Sequence, residues 1–147
     1  MAMREKELRL ALICYGGVSL AIYMHGVTRE IWHMVRASRF FHDGTAPTRR
    51  SEIVYHDLLT EMSRVSGVKL RVFTDIIAGS SAGGINGIFL SQAIVTGQSL
   101  EPLTDMWLEM ADVDILLDPD ARPLSRFTKF WATPIAWLIL RRRGGAV

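Results

Sequence analysis

Six small residues, Gly79-Ser80-Ser81-Ala82-Gly83-Gly84, stand between a strand-forming run and a helix-forming run with no spacer on either side. Upstream, Val68, Leu70 and Val72 alternate, and Phe73, Ile76, Ile77 and Ala78 continue the apolar stretch, as a strand does. Downstream, Ile85, Ile88, Phe89, Gln92 and Val95 recur in helical register up to Gly97. A chain that passes from strand to helix over so few atoms must turn sharply, and such a turn leaves little room for side chains. It restricts the fold to those in which a helix folds straight back over the strand that feeds it.

The same hand-over occurs once earlier. Leu8 to Cys14 is a short apolar run that suits a central parallel strand, and it runs into Gly16-Gly17. Ser19 is placed to cap a helix from Leu20 to about Ser38, with Leu20, Tyr23, Met24, Val27, Ile31, Met34 and Val35 on its apolar face. Phe41 to Arg50, with Gly44 and Pro47, reads as a loop. A second helix is expected from about Ser51 to Val65, burying Ile53, Val54, Leu58 and Met62 and stopping at Gly67. After the helix that ends near Gly97, Ser99 caps a fourth over Leu100 to Met110, with Pro102 in its first turn. Asp118-Pro119 marks a turn in the acidic stretch that follows. The alternation predicts an α/β fold with a mainly parallel sheet. Only two strands stand out, few for a complete sheet.

The chain has 147 residues, about one domain, with 49% apolar and 22% charged residues, which is the balance of a packed protein. A formal charge of +2, with no basic stripe interleaved with aromatic readers, argues against a nucleic-acid partner. Arg141-Arg142-Arg143, near Trp131 and Trp137, reads either as a solvated basic tail or as a contact to an anionic bilayer surface. The lone Cys14 closes no internal disulfide, and no run of about 20 apolar residues suggests a spanning helix. A cytoplasmic location is expected, with peripheral membrane association open.

Gly-x-Ser-x-Gly between a strand and a helix is the pattern of a nucleophile elbow. Ser81 would stand at its tip, clear of the sheet, and Gly79 and Gly83 would be small because side chains there would collide across the turn. The free N–H groups at the start of the following helix favour negative charge developing on a substrate oxygen. A phosphate-binding loop would instead end in Gly-Lys-Ser/Thr or space its glycines as Gly-x-Gly-x-x-Gly, and this one does neither. Gly16-Gly17 reads two ways, as a tight turn or as a pair of backbone donors for an oxyanion.

These two motifs, in this order, resemble the patatin-like phospholipase family, and Val18-Ser19-Leu20 and Asp75-Ile76-Ile77-Ala78-Gly79-Ser80-Ser81-Ala82-Gly83-Gly84 are similar to its bacterial members. The resemblance covers residues 8 to 97 and implies a three-layer α/β/α fold, of which residues 1–147 would be the N-terminal part. It implies Ser81 as nucleophile, Gly16, Gly17 and Val18 as oxyanion donors, a lipid or fatty-acyl ester as substrate, and no metal or cofactor. The family's first motif is Gly-x-Gly-x-x-Gly with a basic residue; Tyr15-Gly16-Gly17-Val18-Ser19-Leu20 lacks two of the glycines and the basic side chain.

All four histidines, His25, His33, His42 and His56, precede Ser81, so a Ser-Asp-His chain order cannot be completed. His25, two turns into the first helix, is the best placed of them. The family resemblance implies a Ser-Asp dyad with the aspartate in a later Asp-Gly, but the chain's one Asp-Gly is Asp43-Gly44, and Asp105, Asp112, Asp114, Asp118 and Asp120 lack the motif. Asp75 is assigned no role. The dyad aspartate is therefore expected outside this chain, as part of a longer enzyme. The alternative is a catalytically incomplete fragment that serves as a binding or assembly module, and an unpaired sheet edge would favour homo-oligomers.

Overall fold

The computed structural model describes residues 4–17 and 20–110, all within one compact unit, Met1–Asp112. The order is β1 (Arg4–Cys14), α1 (Ala21–Asp43), α2 (Arg50–Ser66), β2 (Val68–Gly79), α3 (Ala82–Thr96) and α4 (Glu101–Met110). β1 and β2 pair in parallel, from Arg4 against Val68 to Cys14 against Gly79. The two strands therefore end side by side, and so do the turns that leave them.

Each element follows from local chemistry. Gly44, Gly67 and Gly97 end α1, α2 and α3 in the left-handed conformation, each donating its N–H back to the helix. Ser99 Oγ accepts the Glu101 N–H at 3.2 Å and so opens α4. α1 runs five residues past the expected Ser38, because Arg39 to Asp43 contain no breaker before Gly44. Ser19 lies outside the described residues.

The register slips between Leu10 and Ala11, and Asp75 is the extra residue of β2. The bulge keeps one face in phase: Leu8 stands against Val72, Leu10 against Thr74 and Leu12 against Ile77. Asp75 itself points to solvent and pairs with Arg9 at 3.0 Å.

α1 lies along the outer edge of β2. The Val72 N–H donates to Ser38 Oγ at 2.8 Å, and His42 Nε2 meets the Leu70 carbonyl at 3.2 Å. These edge groups, which would otherwise be open to another strand, are occupied by side chains.

The helices do not bury the faces that hydrophobic periodicity picks out. α1 buries Ala21, His25, Thr28, Trp32, His33, Ala37 and Ser38; of the expected apolar face, Met24 and Ile31 are half-buried against the core, Met34 and Val35 half-buried, and Leu20, Tyr23 and Val27 exposed. α2 buries Glu52, Leu59 and Ser63 and exposes Ile53, Val54, Leu58 and Met62. α3 buries Ala82, Gly83, Asn86, Gly87, Leu90 and Ala93 and exposes Ile85, Ile88, Phe89 and Val95. The reason is the spacing of backbones. A Cβ on Gly87 would come within 2.9 Å of Ile77 Cγ2, so α3 approaches the sheet through its smallest residues.

A buried polar contact closes α1 onto α3 and α4. Asn86 is fully buried, and its Nδ2 donates to the Ala21 carbonyl at 3.2 Å and the Ala82 carbonyl at 3.1 Å. Its Oδ1 accepts the Trp107 indole N–H at 3.0 Å. Three bonds offset most of the cost of burying the amide. They also fix the first turns of α1 and α3 beside each other, where the two strand-to-helix turns emerge.

Candidate active site

Ser81 occupies the turn between β2 and α3 with φ 52° and ψ −131°, and among the described residues it alone has positive φ without being glycine. Such a backbone costs about 1–3 kcal/mol and persists only where the surroundings impose it. Here they do. A Cβ on Gly79 would lie 2.7 Å from the carbonyl carbon and oxygen of Gly83, the collision across the turn anticipated from spacing. Gly83 is constrained by a different neighbour: its Cβ would stand 2.7 Å from the Cys14 carbonyl carbon and 2.9 Å from the Tyr15 oxygen, at the end of β1. The elbow is packed against the first strand as well as folded on itself.

The glycine pair meets the elbow directly. A Cβ on Gly16 would lie 2.6 Å from the Ser80 oxygen and 2.7 Å from Ser81 Cβ. The Ser80 N–H donates to the Cys14 carbonyl at 3.2 Å, and the Gly16 N–H donates to Ser80 Oγ at 3.1 Å. The donor at Gly16 is thus occupied by the serine before Ser81, a contact sequence spacing did not reveal. Gly17 has φ 153°, a Cβ there would meet only the Leu20 side chain at 3.6 Å, and its N–H has no acceptor among the described residues. Val18 lies outside the described residues.

The start of α3 supplies further donors. The N–H groups of Gly83 and Gly84 turn back to the Ser80 carbonyl, and that of Ile85 to the Ser81 carbonyl. This leaves the Ala82 N–H, next to Ser81, without a backbone acceptor at the positive end of a 15-residue helix. The N–H of the residue following the serine is the donor an elbow uses. Ser81 is exposed, and its hydroxyl makes no hydrogen bond among the described residues.

No base reaches Ser81 among the described residues. His25 is buried in the helix layer, its Nε2 2.8 Å from Thr104 Oγ1 and its Nδ1 without a partner. His33 faces Glu52, His42 the edge of β2, and His56 Nδ1 lies 3.8 Å from Asp57. Asp75 is held by Arg9 at the sheet surface, and Asp43 closes α1. Asp105 sits on α4, whereas Asp112, Asp114, Asp118 and Asp120, together with Trp131, Trp137 and Arg141 to Arg143, fall outside the described residues. No cluster of His, Cys, Asp and Glu among the described residues could hold a metal ion.

Burial makes His25 acid-sensitive. Desolvation first, and the Arg29 charge second, hold its imidazole below the ordinary 6.5. A depressed histidine pKa means the unfolded chain takes up the proton first, so the stability it contributes is present above 6.5 and is lost as pH falls from there toward the folded value. His25→Gln is expected to flatten that slope. Urea midpoints at pH 7.5 and pH 5.5 should differ less for the variant than for the wild type, and equal differences would remove His25 as the cause.

No family model matches this chain, and no solved structure matches it. It is similar to a curated relative, "Uncharacterized membrane protein Rv3479" of Mycobacterium tuberculosis, at 38% identity over 128 residues. That alignment covers 78% of this chain but 11% of the relative, so the chain spans about a ninth of that protein's length. The relative's name places it in a membrane. No helix among the described residues of this chain is long and apolar enough to cross one.

Proposed function

We propose that this chain carries the nucleophile half of a patatin-like serine acyl hydrolase acting on lipid esters. The observation that carries the reading is the backbone of Ser81, a non-glycine residue held at positive φ on an exposed strand-to-helix turn by contacts that admit only glycine at 79 and 83. A protein has no structural need for such strain at a serine, and strained residues gather at sites of chemistry.

In the proposed reaction a base takes the Ser81 proton while Oγ bonds to the acyl carbonyl carbon. Charge on the carbonyl oxygen is met by the N–H groups of Ala82 and Gly17, with Gly16 contributing if Ser80 Oγ turns away. Collapse expels the protonated alcohol and leaves an acyl-Ser81 ester, which water hydrolyses to the fatty acid and free serine. The base is assigned to an aspartate outside this chain, and the whole domain to a sheet with helices on both faces. The strand edges and the apolar helix faces suit a part that packs into a larger protein, located in the cytoplasm at a membrane surface.

A fluorophosphonate probe tests this, because it bonds to an activated serine without needing a lipid substrate. With the aspartate outside this chain, labelling rests on the elbow and its N–H donors: slow labelling of the wild type at Ser81, and none of Ser81→Ala, is the expected result. A folded wild type that resists the probe would refute an activated Ser81 in this chain. The second reading, a binding or assembly module, draws on the missing base and on large apolar residues left exposed, such as Val95 at 82% and Val65 at 70%. It predicts a folded, unlabelled chain that self-associates, whereas a labelled monomer in sedimentation counts against it.

A further inference from the structure

Away from Ser81, a cavity of about 280 Å³ opens where α1, the segment before α2 and the start of α4 meet, lined by Arg29, His33, Arg49, Arg50, Ser51 and Glu101. Three guanidinium groups face one carboxylate there. Glu101 Oε1 accepts from Arg29 at 3.0 Å and from Arg49 at 3.1 Å, which orients both side chains without using all their donors. The Arg29 Nε is buried with no partner, and Arg50 has no acidic partner among the described residues. Arg49 is further fixed by stacking over the Trp32 ring at 4.9 Å.

The floor of the cavity holds a second, independent indication. His33 is 3% exposed, and its Nδ1 lies 3.3 Å from Glu52 Oε1. Its Nε2 has no hydrogen-bond partner among the described residues, although the residue lines the opening. α2 begins at the same place, and no side chain caps it. The site therefore offers convergent guanidinium donors and a buried histidine whose Nε2 has no partner; with Nδ1 donating to Glu52, that nitrogen accepts, as it would from a protonated phosphate oxygen.

We propose that this cavity binds a phosphate group, with Arg29, Arg49 and Arg50 as its cationic contacts and His33 at its base. Guanidinium forks bond phosphate oxygens in pairs, and three arginines outnumber the one carboxylate that lines the cavity, Glu101, with Glu30 behind Ser51 and Glu52 behind His33. The inference does not rest on Ser81 acting as a nucleophile, so probe labelling and phosphate binding succeed or fail separately.

Calorimetric titration of the 147-residue chain with inorganic phosphate, at ionic strength held constant with chloride, is the test. Saturable binding is expected, and Arg50→Gln, which removes no hydrogen bond or salt bridge among the described residues, should weaken it about tenfold or more. Glycerol 3-phosphate, and phosphatidylcholine vesicles with and without phosphatidic acid, separate the sources of the group. Binding of the soluble phosphates alone assigns a small molecule, and vesicle binding that needs phosphatidic acid and Arg50 assigns a lipid headgroup. Failure of all three probes, or affinity that Arg50→Gln leaves unchanged, overturns the proposal.

Discussion

Gly83→Val is expected to leave the chain without a cooperative unfolding transition. Its Cβ would fall 2.7 Å from the Cys14 carbonyl carbon and 2.9 Å from the Tyr15 oxygen. Both are backbone atoms, at the last residue of β1 and the one after it, so no rotamer change relieves the clash. The elbow can move off the strand only by losing the Ser80-to-Cys14 and Gly16-to-Ser80 bonds. Overpacking a core commonly costs about 1–3 kcal/mol, and a collision with fixed backbone belongs at or above the top of that range, a large share of a small domain's total stability. Gly26→Ala is the matched control, since nothing stands within 4 Å of its Cβ and it lies inside α1. That change should stabilise by about 0.5–1 kcal/mol. Thermal melts followed by circular dichroism decide the matter: a Gly83→Val melt as sharp as that of Gly26→Ala would mean the elbow is not packed against β1.

Arg36→Ala should cost about 3 kcal/mol, the lower end of what breaking a buried ion pair costs, because a quarter of the Arg36 side chain remains exposed. Glu52 is fully buried in the first turn of α2, and Arg36 Nε reaches its Oε1 at 2.7 Å. The guanidinium also lies over the Trp32 and Phe40 rings, at 4.9 and 5.3 Å. Removing it leaves a buried carboxylate that retains only its contact with His33 and already has Oε2 without a partner. Replacing both members, as in Arg36→Met with Glu52→Leu, should recover part of the loss, since the buried carboxylate is gone and only His33 Nδ1 loses a partner. Urea midpoints for the single and double variants test the pair. A single variant within about 1 kcal/mol of wild type, using the range for exposed pairs, would show the bridge to be a surface contact in solution.

Element order and type were legible in the sequence, and the buried faces were not. Gly67 and Gly97 announce helix ends because each must adopt a left-handed backbone, a local requirement that one residue reveals, whereas Gly44 read as part of a loop and ends α1 in the same way. Periodicity finds the most apolar face of a helix, but backbones packed closely select the smallest residues, as Gly83, Gly87 and Ala93 do in α3. Burial of Ser38, Glu52 and Asn86 is likewise invisible locally, since each is satisfied by a partner at least 16 residues away. At the candidate site, Ser81 and Gly79 could be read from spacing because the constraint on them lies within the turn. The grip of β1 on Gly83 and the capture of the Gly16 N–H by Ser80 could not, because they depend on two strands ending in register. The bulge at Asp75 sets that register, and nothing in the local pattern marks it.

The side chains of Ser38 and His42 on the edge of β2 give this sheet a direction of growth. With Val72 and Leu70 already bonded to α1, that stretch of β2 is closed to another strand, and β1 is the side left open there, whether to the same polypeptide or to another copy. Two copies that meet through β1 do so about a two-fold axis, and the pair then presents α1 at both ends. An unblocked sheet of the same length would offer sticky edges on both sides and add chains without limit, which is the route to fibres. A serine and a histidine on one helix thus withhold that stretch of β2 from assembly, wherever β2 has folded against α1.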